Sequence, residues 1–117
     1  MLPRQRRIGR QKFPLVFQAG RLWSTPVLSL RIARCPINGT QKLTSFSFIV
    51  SHKVAIRAVD RNLLKRRVRA IVRELLPKIK DNYDCLLFFK KGATNLSYWK
   101  LKNIIQEIFT RTSIIIQ

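Results

Sequence analysis

Apolar and polar residues follow two different periods along this chain, and together they predict six or seven secondary-structure elements. From Val27 to Arg34 and from Leu43 to Ser51 the alternation has a period of two, which predicts strands with one buried face. A third strand is predicted from Asp84 to Phe89. The Asn-Gly pair within residues 36–40 predicts a turn between the first two strands. One more short strand has room between Arg21 and Thr25.

Three helices are predicted around these strands. A short one covers Gln11 to Ala19, the clearest covers Arg61 to Leu76, and the last runs from Tyr98 to about Arg111. Three residues fit helix ends, two as N-caps and one as the residue after a C-terminus: Asp60, Ser97 and Gly20. The order α-β-β-(β)-α-β-α predicts an α+β fold, a single-domain sandwich with helices packed on a small mixed sheet.

The length of 117 residues fits one domain. Residues 1–10 are predicted to form a flexible basic arm, residues 11–112 the domain and residues 113–117 a tail. The apolar end of the chain, residues 114–116, has no assignment from the sequence. No apolar run approaches the ~18 residues that span a bilayer. The basic start lacks the apolar stretch of a secretory signal, so a cytoplasmic protein without a membrane partner is expected.

Charge narrows the class of partner. The chain has 24 Lys and Arg against 5 Asp and Glu, which gives a formal net charge of +19. Such a chain repels itself at neutral pH and is typical of proteins that bind a polyanion, most often a phosphate backbone. Cys35 and Cys85 are far apart and lack the spacing of metal ligands, so reduced thiols are expected, with a single disulfide left open.

The helix predicted from Arg61 separates apolar from cationic residues. Its core face is predicted to hold Leu64, Val68, Ile71 and Leu75. Its polar side carries Arg61, Asn62, Lys65, Arg66, Arg69 and Arg73, and the acid within the helix is Glu74. A solvated basic face is one interpretation, but cations four residues apart destabilise a helix. Their accumulation without interspersed acids therefore favours a polyanion-binding face.

Phe13 and Phe17 lie four residues apart beside the cationic Lys12 and Arg21. Aromatic rings next to cations bind single-stranded nucleic acid by base stacking. The same spacing is more commonly an apolar stripe buried in a core, so both interpretations stay open at this point.

Catalysis by the chain's own side chains is not predicted. The acids are Asp60, Glu74, Asp81, Asp84 and Glu107, and no two have a spacing typical of acid–base catalysis or of a metal site. His52 is the single histidine, and no phosphate-binding glycine motif is present.

Several segments, in order, resemble the protein subunit of bacterial ribonuclease P. The range Phe48–Lys53 is similar to the end of a family strand, and Arg61–Arg69 is similar to the family's Arg-Asn-Arg helix signature. The start, Met1–Pro3 followed by a basic run and Phe13–Gly20, and the later Phe88–Gly92 also resemble family segments. Leu63 replaces one cation of the signature, and His52 replaces a lysine.

The resemblance implies a ribonucleoprotein that removes the 5′ leader from precursor tRNA, with a catalytic RNA subunit that uses Mg²⁺. It implies a left-handed βαβ crossover, which is rare among protein folds. It also implies two RNA contacts. The leader cleft would hold Phe13, Phe17 and Lys53. The contact helix for the catalytic RNA would present Arg61, Asn62, Lys65, Arg66 and Arg69.

Rival hypotheses remain. A ribosomal protein or general RNA chaperone would share this charge and size. A helix-turn-helix DNA-binding protein would need a helix and a tight turn before Asp60, where the sequence predicts a strand and an irregular segment. No DNA partner is therefore expected.

Overall fold

The computed structural model describes residues 6–9, 11–34 and 43–115. The helices are α1 (Phe13–Ala19), α2 (Ala58–Leu75) and α3 (Tyr98–Arg111), and the strands are β1 (Arg21–Ser24), β2 (Leu28–Arg34), β3 (Ser45–Ile49) and β4 (Tyr83–Phe89). Short 3₁₀ turns occupy Leu76–Lys78 and Ala93–Asn95. This order confirms the predicted α+β fold, and β1 is the additional strand for which the sequence left room. The turn predicted at residues 36–40 lies outside the described residues.

The four strands form one mixed sheet in the order β1-β2-β4-β3. β2 pairs antiparallel with both β1 and β4, whereas β3 pairs parallel with β4. Adjacent parallel strands need a crossover connection, and α2 lies in the segment that joins β3 to β4. The left hand of this crossover stays a prediction from the family resemblance.

The main core lies between one face of the sheet and helices α2 and α3. The predicted core face of α2 is confirmed, because all four of its residues are buried: Leu64, Val68, Ile71 and Leu75. Phe46 of β3 packs against Phe109 of α3, with ring centroids 6.1 Å apart. α2 and α3 therefore present their opposite, polar sides to solvent.

α1 covers the other face of the sheet. Val16 is its buried residue, at 3% exposure, and Leu86 of β4 is fully buried outside the main core cluster. Gly20 ends the helix with φ −71° and ψ 137°, so it needs no left-handed backbone. A Cβ atom there would lie 2.7 Å from the Val16 carbonyl oxygen and 3.1 Å from the Arg31 Cβ. Glycine is required because α1 approaches β2 closely.

The two predicted N-caps have different outcomes. Ser97 caps α3, because its Oγ accepts a hydrogen bond from the Lys100 amide at 3.3 Å. The prediction for Asp60 was wrong: α2 begins at Ala58, and the Asp60 amide already donates to the Arg57 carbonyl at 3.1 Å. Asp60 lies instead in the first turn, where a carboxylate interacts favourably with the helix dipole.

Both ends of the described chain contact the domain. The Ile8 amide donates to the Phe46 carbonyl at 3.1 Å, so this part of the predicted arm lies along the outer edge of β3. At the other end Ile114 is fully buried, and its carbonyl accepts from the Lys80 amide at 2.7 Å. Ile115 is 9% exposed and bridges to Ile79. These two isoleucines thus belong to the core.

Candidate nucleic-acid interface

Three phenylalanine rings meet where α1 crosses the sheet. The Phe13 and Phe17 centroids are 6.4 Å apart, and Phe88 of β4 meets them edge-on at 6.4 and 5.9 Å. Phe17 is 41% exposed, and Phe13 and Phe88 are half-buried. We call these three residues the aromatic cluster. It lies outside the main core, so the interpretation of Phe13 and Phe17 as an ordinary core stripe does not describe their surroundings.

The sequence analysis did not select Phe88 as a site residue. The sequence does contain an indication of its position. Side chains alternate along a strand, so Phe88 faces away from the core that its neighbours Leu87 and Phe89 enter. An aromatic residue on the second face of a strand needs a cover, and α1 supplies it. Which helix would do so depended on the tertiary structure.

Arg31 adds a cation to the aromatic cluster. Its guanidinium carbon lies 4.2 Å from the Phe17 ring centroid, within the range of a cation–π contact. Its Nη1 also donates to the Phe17 carbonyl at 3.3 Å. Sequence reasoning missed this residue, which appeared only as a polar position in the alternation of β2. The contact places a positive charge at the aromatic cluster.

An ion pair positions the start of α1 on the sheet. The Lys12 Nζ lies 2.9 Å from the Asp84 Oδ2, and Asp84 is only 3% exposed. The ammonium of Lys12 therefore compensates the charge of the buried Asp84 carboxylate at the start of α1. α1 packs mainly on β2 and β4, so Ser47 and Ile49, on the same face of the edge strand β3, remain half-buried next to the cluster.

The loop between β3 and α2 carries Lys53. Ile49 pairs with Phe88, so the loop leaves the sheet at the end where the aromatic cluster lies. Lys53 is exposed there. Arg61 braces the loop: its Nη1 donates to the carbonyls of Ala55 at 2.9 Å and Ile56 at 2.6 Å, and lies 3.3 Å from the His52 Nδ1. Part of the Arg61 hydrogen-bonding capacity is therefore used within the protein.

The polar side of α2 is cationic along its length. Asn62 and Arg66 are exposed, whereas Lys65 and Arg69 are half-buried. An open depression on this side is lined by Arg66, Arg69, Ala70, Arg73 and Glu74. α1 and α2 lie on opposite faces of the sheet, so the structure divides the predicted site residues into two groups, which the loop carrying Lys53 connects.

Glu74 is held by two partners on α3. Its Oε1 accepts from the Tyr98 hydroxyl at 2.9 Å and its Oε2 from the Lys102 Nζ at 2.7 Å. The hydrogen bonds from Lys102 and Tyr98 lower the pKa of Glu74 below its ordinary value, so the carboxylate stays ionised. Burial and, to a lesser extent, the Glu74 hydrogen bond raise the pKa of Tyr98.

The described residues contain neither a metal-ligand cluster nor a helix suited to a membrane. Within them, no group of three or more His, Cys, Asp or Glu side chains could hold a metal ion. No described helix is long and apolar enough to cross a membrane. Cys85 is buried in the core, and Cys35 lies outside the described residues.

A cationic helix face and an aromatic cluster with a stacked guanidinium have the chemistry of a polyanion-binding surface. Comparison with known proteins identifies the protein family. Residues 2–113 match the family model of ribonuclease P proteins, and the chain belongs to this family. The resemblance expected from the sequence is thereby confirmed.

Relatives and solved structures agree with this assignment. The chain is 34% identical to the ribonuclease P protein component of Synechococcus elongatus over 97% of this chain and 95% of that protein. It is 31% identical to the same component of a Pseudanabaena species, covering 98% and 97% of the two chains. The ribonuclease P protein of Thermotoga maritima has a similar fold, with a TM-score of 0.78, 22% identity and coverage of 90% and 96%. A mutant of the Staphylococcus aureus protein gives a TM-score of 0.81 at 17% identity, covering 94% and 90%.

Proposed function

We propose that this chain assists a catalytic RNA in removing the 5′ leader from precursor tRNA. The protein binds the single-stranded leader and the RNA subunit, and the RNA subunit performs the hydrolysis. The observation that carries the proposal is the aromatic cluster, which is partly exposed, lies outside the main core and has Arg31 stacked on Phe17.

The leader would bind along α1 and the adjoining sheet face. Unpaired bases stack on partly exposed rings such as Phe17, and Phe13 and Phe88 hold that ring in place. Lys53 lies on the loop that leaves the same end of the sheet, where it can neutralise a leader phosphate. These contacts would position the substrate upstream of the scissile bond, and positioning of this kind lowers the entropic part of a reaction barrier.

The catalytic RNA would bind the polar side of α2. Asn62, Lys65, Arg66 and Arg69 are the contacts proposed there, and Arg61 joins them while it orders the loop that carries Lys53. Binding of the cations releases counterions from the RNA, so affinity should fall steeply as salt rises. The Mg²⁺ of the enzyme would be held mainly by the RNA subunit and the substrate.

The test is cleavage of a precursor tRNA by the cognate RNA subunit at low Mg²⁺, with and without the protein. Substrates with a long leader and with none are compared. We expect the protein to raise activity and to tighten binding of the substrate that has a leader. Phe17→Ala should remove about a tenfold share of the leader-dependent affinity, which is the scale of one base–aromatic stack.

The matched control is Leu15→Ala on the same helix. Leu15 is 66% exposed and takes no part in the aromatic cluster, so its removal should leave leader binding within about twofold of the unmodified protein. If the protein binds both substrates equally and leaves cleavage unchanged, the proposal fails. A general RNA-binding role, as in a ribosomal protein or chaperone, would then be the better account.

A further inference from the structure

Trp99 is a large aromatic residue that the core does not use. It lies in the first turn of α3 and is 68% exposed, although full burial of a side chain of this size would be strongly favourable. Two neighbours hold the indole: Tyr98 meets it edge-on at 5.7 Å, and the Lys102 Nζ lies 5.4 Å from its centroid. The ring is thus presented to solvent in a defined position.

Lys102 links the indole to the depression on α2. Lys102, which lies over Trp99, also pairs with the Glu74 Oε2 at 2.7 Å, and Glu74 lines that depression. Tyr98, which contacts the indole edge-on, donates to the Glu74 Oε1. Glu74 and Lys102 compensate each other. The charge left uncompensated in the depression is that of three guanidiniums, those of Arg66, Arg69 and Arg73.

We propose that Trp99 and this depression form a second nucleotide-binding site, in which an unpaired base of the catalytic RNA stacks on the indole and its phosphates contact the guanidiniums. The inference rests on the proposed function, and it extends the RNA contact from α2 onto α3. Stacking on an exposed aromatic ring beside cations is the usual means of binding an unpaired nucleotide. Arginine forks fit phosphate oxygens in a bidentate geometry.

Charge argues for RNA and against a second copy of this chain as the occupant. A second copy of this chain would bring another +19 to a surface that already carries three uncompensated arginines, so self-association is opposed. An unpaired nucleotide supplies a negative charge that complements the arginines and a flat base that complements the exposed indole.

Fluorescence of Trp99 provides a direct readout. The chain has two tryptophans, so Trp23→Phe leaves Trp99 as the single reporter. Titration of this variant with the catalytic RNA subunit should quench the indole emission and reduce its accessibility to acrylamide. The matched control is Trp99→Phe, which retains Trp23. That residue is half-buried against the core with Arg21 5.3 Å from its ring, so its emission should stay nearly constant.

Affinity gives the second readout. Trp99→Ala should weaken binding of the RNA subunit about tenfold, whereas Trp99→Phe, which keeps a stacking ring, should lose no more than about threefold. Leu22→Ala, at a 53% exposed position on β1, should leave the affinity unchanged. The ratio of affinities for substrates with and without a leader should be the same in the two Trp99 variants as in the unmodified protein, because the leader is expected on the opposite face of the sheet from α3.

The outcomes separate this inference from the proposed function. If the unmodified protein neither binds the RNA subunit nor assists cleavage, the proposed function fails and this inference fails with it. If the unmodified protein does both, while Trp99 emission is constant and Trp99→Ala binds as tightly as the unmodified protein, only the second site is overturned.

Discussion

Glu74 illustrates how a single residue can change the electrostatics of a whole face. In the sequence it is the lone acid of a basic helix, which would partly offset the arginines around it. In the structure it is joined to Tyr98 and Lys102 of α3 instead. The carboxylate therefore joins α2 to α3 by hydrogen bonds, and the arginines beside it remain available to an external anion.

The pH dependence of Glu74→Gln tests this role. The pKa of Glu74 is lowered from 4.5 by its hydrogen bonds with Lys102 and Tyr98. A lowered pKa in the folded state means that the stabilisation is present above the unfolded-state value and is lost as pH falls through the folded-state value. Glu74→Gln should therefore lower the thermal midpoint modestly at pH 7, and the difference should disappear well below pH 4.5.

The measurement is thermal unfolding followed by circular dichroism at both pH values. Glu107→Gln is the control, because Glu107 is an exposed carboxylate on α3, the helix that Glu74 contacts. A deficit of equal size at both pH values would show that the carboxylate charge is not what joins the two helices.

At the scale of elements, α2 couples two surfaces that lie on opposite faces of the sheet. Its outer side carries the cations, and its first turns brace the preceding loop through Arg61. That loop carries Lys53 and begins where β3 pairs with Phe88. Arg61 thus contributes to order in the loop as well as to charge on the helix.

Arg61→Ala should separate these two contributions. Loss of the guanidinium removes the hydrogen bonds to the carbonyls of Ala55 and Ile56, so amide hydrogen exchange in residues 52–57 should become faster. Arg69→Ala removes the same charge from the same helix and should leave exchange in the loop unchanged. Both variants should weaken RNA binding. Unaltered exchange in Arg61→Ala would mean that the loop is ordered by other contacts.

At the scale of the whole molecule, the end of the described chain closes the core. The sequence offered no assignment for the apolar residues after Ser113, and a disordered tail was one option. In the structure, Ile114 is fully buried and joins the cluster formed by the sheet, α2 and α3. The Lys80 amide donates a hydrogen bond to the Ile114 carbonyl.

Ile114→Ala should therefore destabilise the protein by about 2–5 kcal/mol, the usual cost of truncating a buried isoleucine and leaving a cavity. Ile56→Ala is the matched control, because Ile56 is 85% exposed and its truncation should cost less than about 0.5 kcal/mol. The free energy of unfolding from urea titration measures both. Equal values for the two variants would show that Ile114 does not pack in the core.

Local sequence patterns determined much of this fold. The period of 3.6 residues located α3 and the core face of α2, alternation located β2 and β3, and the Ser97 cap followed from residue type. These features arise from interactions within a few residues of each other, so a short window of sequence contains their cause. Net charge, likewise a property of the sequence, indicated a polyanion as the partner.

Tertiary structure decided how the elements and site residues combine. Phe88 and Arg31 join the aromatic cluster only because β4 pairs with β2 and α1 crosses both strands. Arg61 turns towards the loop, and Glu74 towards α3, because backbone carbonyls and partner side chains lie within reach in the fold. Contacts of this kind join segments that are distant along the chain, so the local pattern of apolar and polar residues does not predict them.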